Sequence, residues 1–180
     1  ADYLTPIFLQ YFSSQLSPGQ RVIDFGCGCG RSSIPLLEAG LRVDLVDFAS
    51  NCLDTQVFLQ TASAHSNLQF IESCLWNLPE DLTPAEWGIC FDVLEHIPTE
   101  KIDRVISEMA QRITCGALIA IDLQEDRMGK RVGQTLHLTV QPSSWWREKL
   151  ENKFLIHKVL LEDEEKFVAA LYTNEFICVY

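Results

Sequence analysis

The chain has 180 residues, 47% hydrophobic and 22% charged, with a formal net charge of -11, a balance that fits one globular domain with a real core. The negative charge argues against a nucleic-acid partner, whose phosphates need clustered Lys and Arg, and would repel strongly anionic substrates. No apolar run approaches the ~20 residues of a membrane span, no basic-then-apolar leader is visible, and the expected location is cytoplasmic.

Residues 3–16 carry Leu4, Ile7, Phe8, Tyr11, Phe12 and Leu16 at helical spacing, and Ser17-Pro18-Gly19 breaks that helix. Residues 21–25 read as a strand, about 30–39 as a helix ended by Gly40, and 42–47 as a second strand. Ser50 is placed to cap a helix running to about Ala64. Leu68 to Ile71 and Trp87 to Phe91 read as strands three and four. Thr99, after Pro98, starts a helix with Ile102, Val105, Ile106, Met109 and Ile113 on one face.

The run Ala117-Leu118-Ile119-Ala120-Ile121 is apolar throughout, as in a strand buried on both faces. Residues 124–141 are polar and irregular, and Pro142 to Asn152 form a short helix with Trp145 and Trp146. Three strand-like runs close the chain: Phe154–Leu161, Phe167–Tyr172 and Phe176–Tyr180. Strands alternating with helices imply a parallel, doubly wound α/β sheet.

The most informative stretch is Asp24-Phe25-Gly26-Cys27-Gly28-Cys29-Gly30, between the first strand and the following helix. Glycines at alternate positions let the backbone turn sharply and approach a ligand closely, and the helix N-terminus behind them offers free N–H groups. Asp47 ends the second strand about 20 residues on, where such folds place a ribose-binding carboxylate. The dinucleotide pattern G-x-G-x-x-G fails, because Arg31 stands at its third glycine.

The pattern D-x-G-x-G-x-G resembles the first motif of the class I S-adenosylmethionine-dependent methyltransferases. Phe91-Asp92-Val93-Leu94-Glu95-His96-Ile97-Pro98 is similar to the fourth-strand motif of a branch that includes the quinone-biosynthesis O-methyltransferases. The resemblance covers roughly residues 20–125. It implies a seven-stranded, mostly parallel Rossmann-like sheet closed by an antiparallel C-terminal hairpin, with helices on both faces; which two of the three final runs form the hairpin stays open. It implies one domain over 1–180, with an N-terminal helix in 1–19, a donor-binding core in 20–123 and an acceptor-side segment with the last strands in 124–180.

The same resemblance places Asp24, Gly26, Cys27, Gly28, Gly30, Asp47, Phe48, Cys74, Leu75 and Phe91 around S-adenosylmethionine. Asp24 orients the loop and the donor's amino group, Asp47 holds both ribose hydroxyls, and Phe48 packs on adenine. Two positions depart from the family pattern. Cys74 stands where an Asp usually accepts from the adenine amino group, and a thiol is a poor substitute; the Leu75 backbone, Glu72 or Asn77 are the alternatives. Gly88 stands where the family often has an Asp before strand four.

Methyl transfer requires alignment of donor and acceptor and exclusion of water. An oxygen or nitrogen acceptor also needs a base, and histidine suits that role. His96, at the carboxyl edge of strand four, and His137, in the stretch after strand five, are the catalytic candidates; His65 and His157 receive no role. Asp122 reads equally as a cleft residue and as a loop charge. Trp145 and Trp146 read as packing rather than an aromatic wall, and Arg127, Lys130 and Arg131 as a solvated loop rather than an anion site. The seven cysteines are odd in number and lie partly in strands, against a disulfide framework; Cys27 and Cys29 read as small loop residues rather than as a metal or redox pair. No metal is expected.

These residues predict a methyltransferase that uses S-adenosylmethionine, releases S-adenosylhomocysteine and methylates a small-molecule acceptor at oxygen. The helix 3–16 and residues 124–146 are the expected acceptor walls. The alternatives are a non-catalytic donor-binding or interaction module and, less favoured, a nicotinamide-dependent reductase.

Overall fold

The computed structural model describes residues 3–54, 67–126 and 128–176. Seven strands form one sheet: β1 (Arg21–Phe25), β2 (Arg42–Asp47), β3 (Leu68–Glu72), β4 (Ala85–Phe91), β5 (Ile113–Asp122), β6 (Phe154–Glu162) and β7 (Lys166–Thr173). Their order is β3-β2-β1-β4-β5-β7-β6. The first five are parallel, and β7 runs antiparallel to both β5 and β6. The closing hairpin is therefore β6 and β7; residues 177–180 of the third run lie outside the described residues.

The inner strands β1, β4, β5 and β7 are buried on both faces because both are covered. Along β1, Val22 joins one core and Ile23 the other; along β5, Leu118 and Ile119 divide the same way. One core holds α1 (Leu4–Tyr11) and α2 (Ile34–Glu38), with Leu4, Phe8, Phe12, Leu36 and Leu37 packed on Trp87 and Val43. The opposite core holds α3 (Ile102–Arg112) and α5 (Ser143–Glu151). Between them in sequence lies the single-turn helix α4 (Gly129–Val132).

The apolar stripe Ile102, Val105, Ile106 and Met109 of α3 is buried, as its spacing predicts. Ile113 departs from that stripe: its backbone is extended and it begins β5 opposite Ala85. Arg112 closes the helix by donating to the carbonyls of Pro79 and Leu82 at 2.9 and 3.1 Å. Gly88 sits inside β4, where a Cβ would stand 2.6 Å from Ile113 Cδ1. Packing therefore leaves no room for the Asp that the resemblance expects there.

Other boundaries shift modestly. The helix expected over 30–39 starts as a 3-10 turn, Arg31–Ser33, before α2. Ser50–Cys52 is a 3-10 turn, and residues 55–66 of the helix expected to Ala64, with His65, lie outside the described residues, as does Arg127. Trp146 is fully buried and Trp145 packs beside it with Lys149 over its ring, so both serve packing.

Candidate functional site

The carboxyl ends of β1, β2, β4 and β5 meet at one edge, the usual ligand edge of such sheets. After Phe25 the chain turns at once, and the N–H groups of Gly26 and Cys27 both donate to Val46 O, at 2.7 and 3.1 Å. Gly26 has φ +78° and Gly28 φ +51°, the left-handed region that an L side chain rarely tolerates. A Cβ on Gly26 would stand 2.5 Å from the Val93 side chain, so this residue lets the loop lie against the β4 edge. At Gly28 nothing lies within 4 Å of the Cβ position, which leaves the backbone open to an approaching group.

Asp47 ties the loop to β2. Its Oδ2 accepts from Gly28 N at 2.9 Å and its Oδ1 from Ala49 N at 3.1 Å. A carboxylate offers about four acceptor sites, so two remain. Asp24 lies beneath the loop, 3% exposed, and accepts from the Ser33 hydroxyl at 2.7 Å. Burial raises its pKa from the ordinary 3.8 to about 7, against the lowering effect of the Ser33 bond.

In front of the loop is a cavity of about 390 Å³. Gly26, Gly28, Asp47, Phe48, Cys74 and Leu75 line it from the first three strands; Asp92, Val93, His96 and Leu138 line it from the other side. Phe48 is 73% exposed, with its ring free to cover a ligand. Of the residues expected around the donor, Asp24 and Gly30 support the loop without lining the cavity. Cys27 and Phe91 turn into the α1/α2 core. The helix α1 contributes no lining residue, so of the two expected acceptor walls only the 124–146 stretch reaches the cavity, through Leu138.

The second half of the site is built by a clamp. Leu138 N and Thr139 N both donate to Glu95 O, at 2.8 and 2.9 Å. The buried Thr139 hydroxyl donates to Ile97 O at 2.7 Å and so accepts from Thr99 Oγ1 at 2.8 Å. These bonds lay residues 136–139 across 95–99 and set His137 beside His96, ring centroids 4.8 Å apart and perpendicular. The structure thus joins the two histidines that the sequence separates by some forty positions.

Each imidazole is held by a backbone carbonyl. His96 Nδ1 meets Leu136 O at 3.0 Å and His137 Nδ1 meets Gln124 O at 2.6 Å. A carbonyl oxygen only accepts, so each Nδ1 carries a proton, and Nε2 is the nitrogen that holds the lone pair whenever the ring is neutral. Desolvation, then the neighbouring His137, lowers the His96 pKa and favours its neutral ring. Glu95, behind them, is fully buried; Oε1 accepts from Asp122 N at 3.0 Å, and desolvation raises its pKa to about 7. Asp122 itself caps the next turn, accepting from Gln124 N at 2.9 Å.

Sequence reasoning missed Asp92, Val93, Trp76 and Leu138 as lining residues. Asp92 carried a usable signal, since it directly follows strand four at the ligand edge. It adopts φ +58° and its carboxylate pairs with the Lys166 ammonium of β7. Past His137 a second, polar hollow of about 410 Å³ runs along Thr99, Glu125, Asp126 and Gln134. The histidine pair therefore stands at the border of an apolar and a polar space.

Comparison with known proteins adds the family. The family described as "Methyltransferase domain" matches residues 22–116. Over 100 residues the chain is 37% identical to the magnesium-protoporphyrin O-methyltransferase of Synechocystis sp., covering 52% of this chain and 40% of that protein. Over 101 residues it is 32% identical to the ubiquinone biosynthesis O-methyltransferase of Xanthomonas axonopodis pv. citri, covering 53% and 40%. The chain thus spans well under half the length of these curated relatives. The crystal structure of magnesium protoporphyrin IX methyltransferase from Synechocystis PCC 6803 with bound SAH shares the fold, with TM-score 0.77 at 21% identity over 96% of this chain and 83% of that one. The N-methyltransferase NodS from Bradyrhizobium japonicum WM9 also superposes, with TM-score 0.69 at 13% identity over 95% and 85%. With the family match spanning just over half of its residues, the chain belongs to the class I S-adenosylmethionine-dependent methyltransferases.

Proposed function

We propose that this chain binds S-adenosylmethionine in the cavity before the glycine loop and methylates a small-molecule acceptor at oxygen. The observation that carries the reading is the placement of His96 and His137 between that cavity and the polar hollow. The O-methyltransferase relatives support oxygen as the target atom.

The residues present fit the donor. The open backbone at Gly28 admits close contact, the two remaining acceptor sites of Asp47 match a ribose diol, and the Phe48 ring covers a flat base. Cys74 and Leu75 offer apolar contact on the adenine side, in place of the missing carboxylate. When bound, S-adenosylmethionine supplies a methyl group on a positively charged sulfur and leaves as S-adenosylhomocysteine. His96 and His137, each with Nδ1 taken up by a backbone carbonyl and Nε2 left to act, are the groups that take the acceptor's hydroxyl proton. The apolar lining keeps water from the reacting atoms.

The reading includes one domain, with the N-terminal helix in 1–19, the donor core in 20–123 and the acceptor side in 124–180. It also includes a cytoplasmic location and no nucleic-acid partner, in keeping with the net charge of -11. Among the described residues no helix is long and apolar enough to cross a membrane. The test is incubation with S-adenosylmethionine and a panel of hydroxylated small molecules, read by mass spectrometry. One added methyl per acceptor, abolished by blocking a single hydroxyl, is expected. Methylation on nitrogen or carbon would overturn the oxygen assignment, and no product across the panel would count against catalysis.

A further inference from the structure

Strands β1 and β2 both open on arginine, and Arg21 and Arg42 stand directly opposite each other in the parallel pairing. Adjacent strands lie about 4.8 Å apart, and like charges at that spacing repel unless something compensates them. The two side chains line a hollow of about 260 Å³ with Asp44, Asn67, Gln69 and Thr83. It opens at the amino edge of the sheet, the length of β1 away from the glycine loop, roughly 13 Å. We propose that this hollow binds the phosphate group of a small phosphorylated molecule, at a site separate from the donor cavity.

The network beneath the hollow is built into the sheet. Asp44 is 4% exposed, inside β2. A buried carboxylate costs free energy unless it is paired, and both of its oxygens are used. Oδ2 pairs with the Arg21 guanidinium, and Oδ1 accepts from Gln69 Nε2 at 2.7 Å. These bonds fix one end of Arg21 and leave further N–H groups on its planar fork. Glu86, on the neighbouring β4, accepts from Arg21 N at 2.8 Å and does not line the hollow. Arg42 is exposed and, among the described residues, has no ion pair and no side-chain hydrogen bond. The chain holds 25 acidic and 14 basic residues. An arginine with no acidic partner, set beside a second arginine, is therefore uncompensated charge in a molecule rich in counter-charges.

The lining selects the ligand. Two guanidinium groups, the Asn67 amide and the Thr83 hydroxyl are all able to donate into one space. A phosphate offers three oxygens and up to two charges to such a set, whereas a carboxylate offers two oxygens and one charge. The hollow has room for more than the anion, which points to a phosphate carried by a small molecule. The net charge of -11 sets the upper limit, because a polyanion would meet repulsion from the rest of the surface. This inference does not depend on the methyltransferase reading.

The experiment titrates inorganic phosphate, glycerol phosphate and succinate calorimetrically into the whole chain at constant ionic strength. The variants are Arg42→Ala, Arg21→Lys, Arg104→Ala and Asp47→Ala, with circular dichroism confirming the fold. One phosphate per chain is expected, bound more tightly than succinate. Affinity should fall at least ~10-fold in Arg42→Ala and in Arg21→Lys, the loss of one charged hydrogen bond or of the fork that makes it. Arg42 is exposed, so its variant keeps the test valid if Arg21→Lys does not fold. Arg104→Ala removes the same charge from an exposed position on α3 and should leave binding unchanged, as should Asp47→Ala in the donor cavity. No binding at millimolar phosphate, succinate bound as tightly as phosphate, or equal losses in Arg42→Ala and Arg104→Ala would overturn the site. Loss of phosphate binding in Asp47→Ala would place the anion at the glycine loop and overturn it as well.

Discussion

The glycine loop and the Glu95–His96–His137 corner face one cavity, but the chain builds them in opposite ways. The loop is local: β1, three glycines and Asp47 lie within 27 residues, and two backbone bonds to Val46 and one to Asp47 close it. The corner is assembled from a distance, with residues 136–139 laid across 95–99 by hydrogen bonds spanning some forty positions. The local half can be recognised from spacing alone because the geometry follows from residue order. The distant half becomes a site only after β4, β5 and the following stretch have docked.

If the halves are independent in this way, substitutions should separate donor affinity from the chemistry of the corner. The largest effect is expected at Asp47. Asp47→Ala removes two ribose acceptors and the bond that holds Gly28, so S-adenosylhomocysteine affinity should fall more than ~100-fold, from hydrogen bonds to a charged group worth about 1.5–3 kcal/mol each. Calorimetry checks this, and an unchanged affinity would remove Asp47 from the site.

Next is a pH effect confined to the loop. The pKa of Asp24 in the folded chain is raised to about 7 from an ordinary 3.8, so the folded state holds its proton more tightly than the unfolded one. Its contribution to stability therefore falls as pH rises between those values and levels off above pH about 7. Asp24→Asn, which keeps an acceptor for Ser33, should flatten that slope and stabilise the chain above neutrality by about 2–4 kcal/mol. Urea titrations across the pH range measure it; an unchanged slope would contradict the burial argument.

Gly26→Ala probes the seam between the halves. Its φ of +78° and the approach to Val93 predict a loss of about 2 kcal/mol. Adding Val93→Ala should recover the steric part and leave the backbone part, a coupling that a double-mutant cycle reads directly. The smallest effect is expected at the clamp: Thr139→Val loses the bonds to Ile97 and Thr99, worth about 1 kcal/mol. Thermal unfolding should show that loss while S-adenosylhomocysteine affinity stays within about twofold. A large loss of donor affinity would mean that the halves are coupled.

The same contrast explains what could be read before folding. Strand alternation with buried helices gave the sheet, and D-x-G-x-G-x-G with Asp47 gave the loop, because both are short-range patterns. Cys27 and Phe91 are expected at the donor, and their side chains pack in the α1/α2 core. A one-residue change in direction at a strand end or turn reverses a side chain, and spacing does not fix it. His96 and His137 are each singled out by imidazole chemistry and by position, one at the carboxyl edge of strand four and one after strand five. Their contact, and the buried Glu95 oxygen behind them, depended on the Thr139 clamp, for which the sequence has no short-range signal. Asp92 was overlooked although its position after β4 marked it.

The most direct measurement is calorimetric titration of S-adenosylhomocysteine into the purified chain, with NAD as control and Asp47→Ala alongside. The account predicts saturable one-to-one binding by the native chain, none to NAD, and loss of the heat in the variant. Absence of binding at millimolar S-adenosylhomocysteine, or preferential binding of NAD, would contradict the donor site on which the functional reading rests.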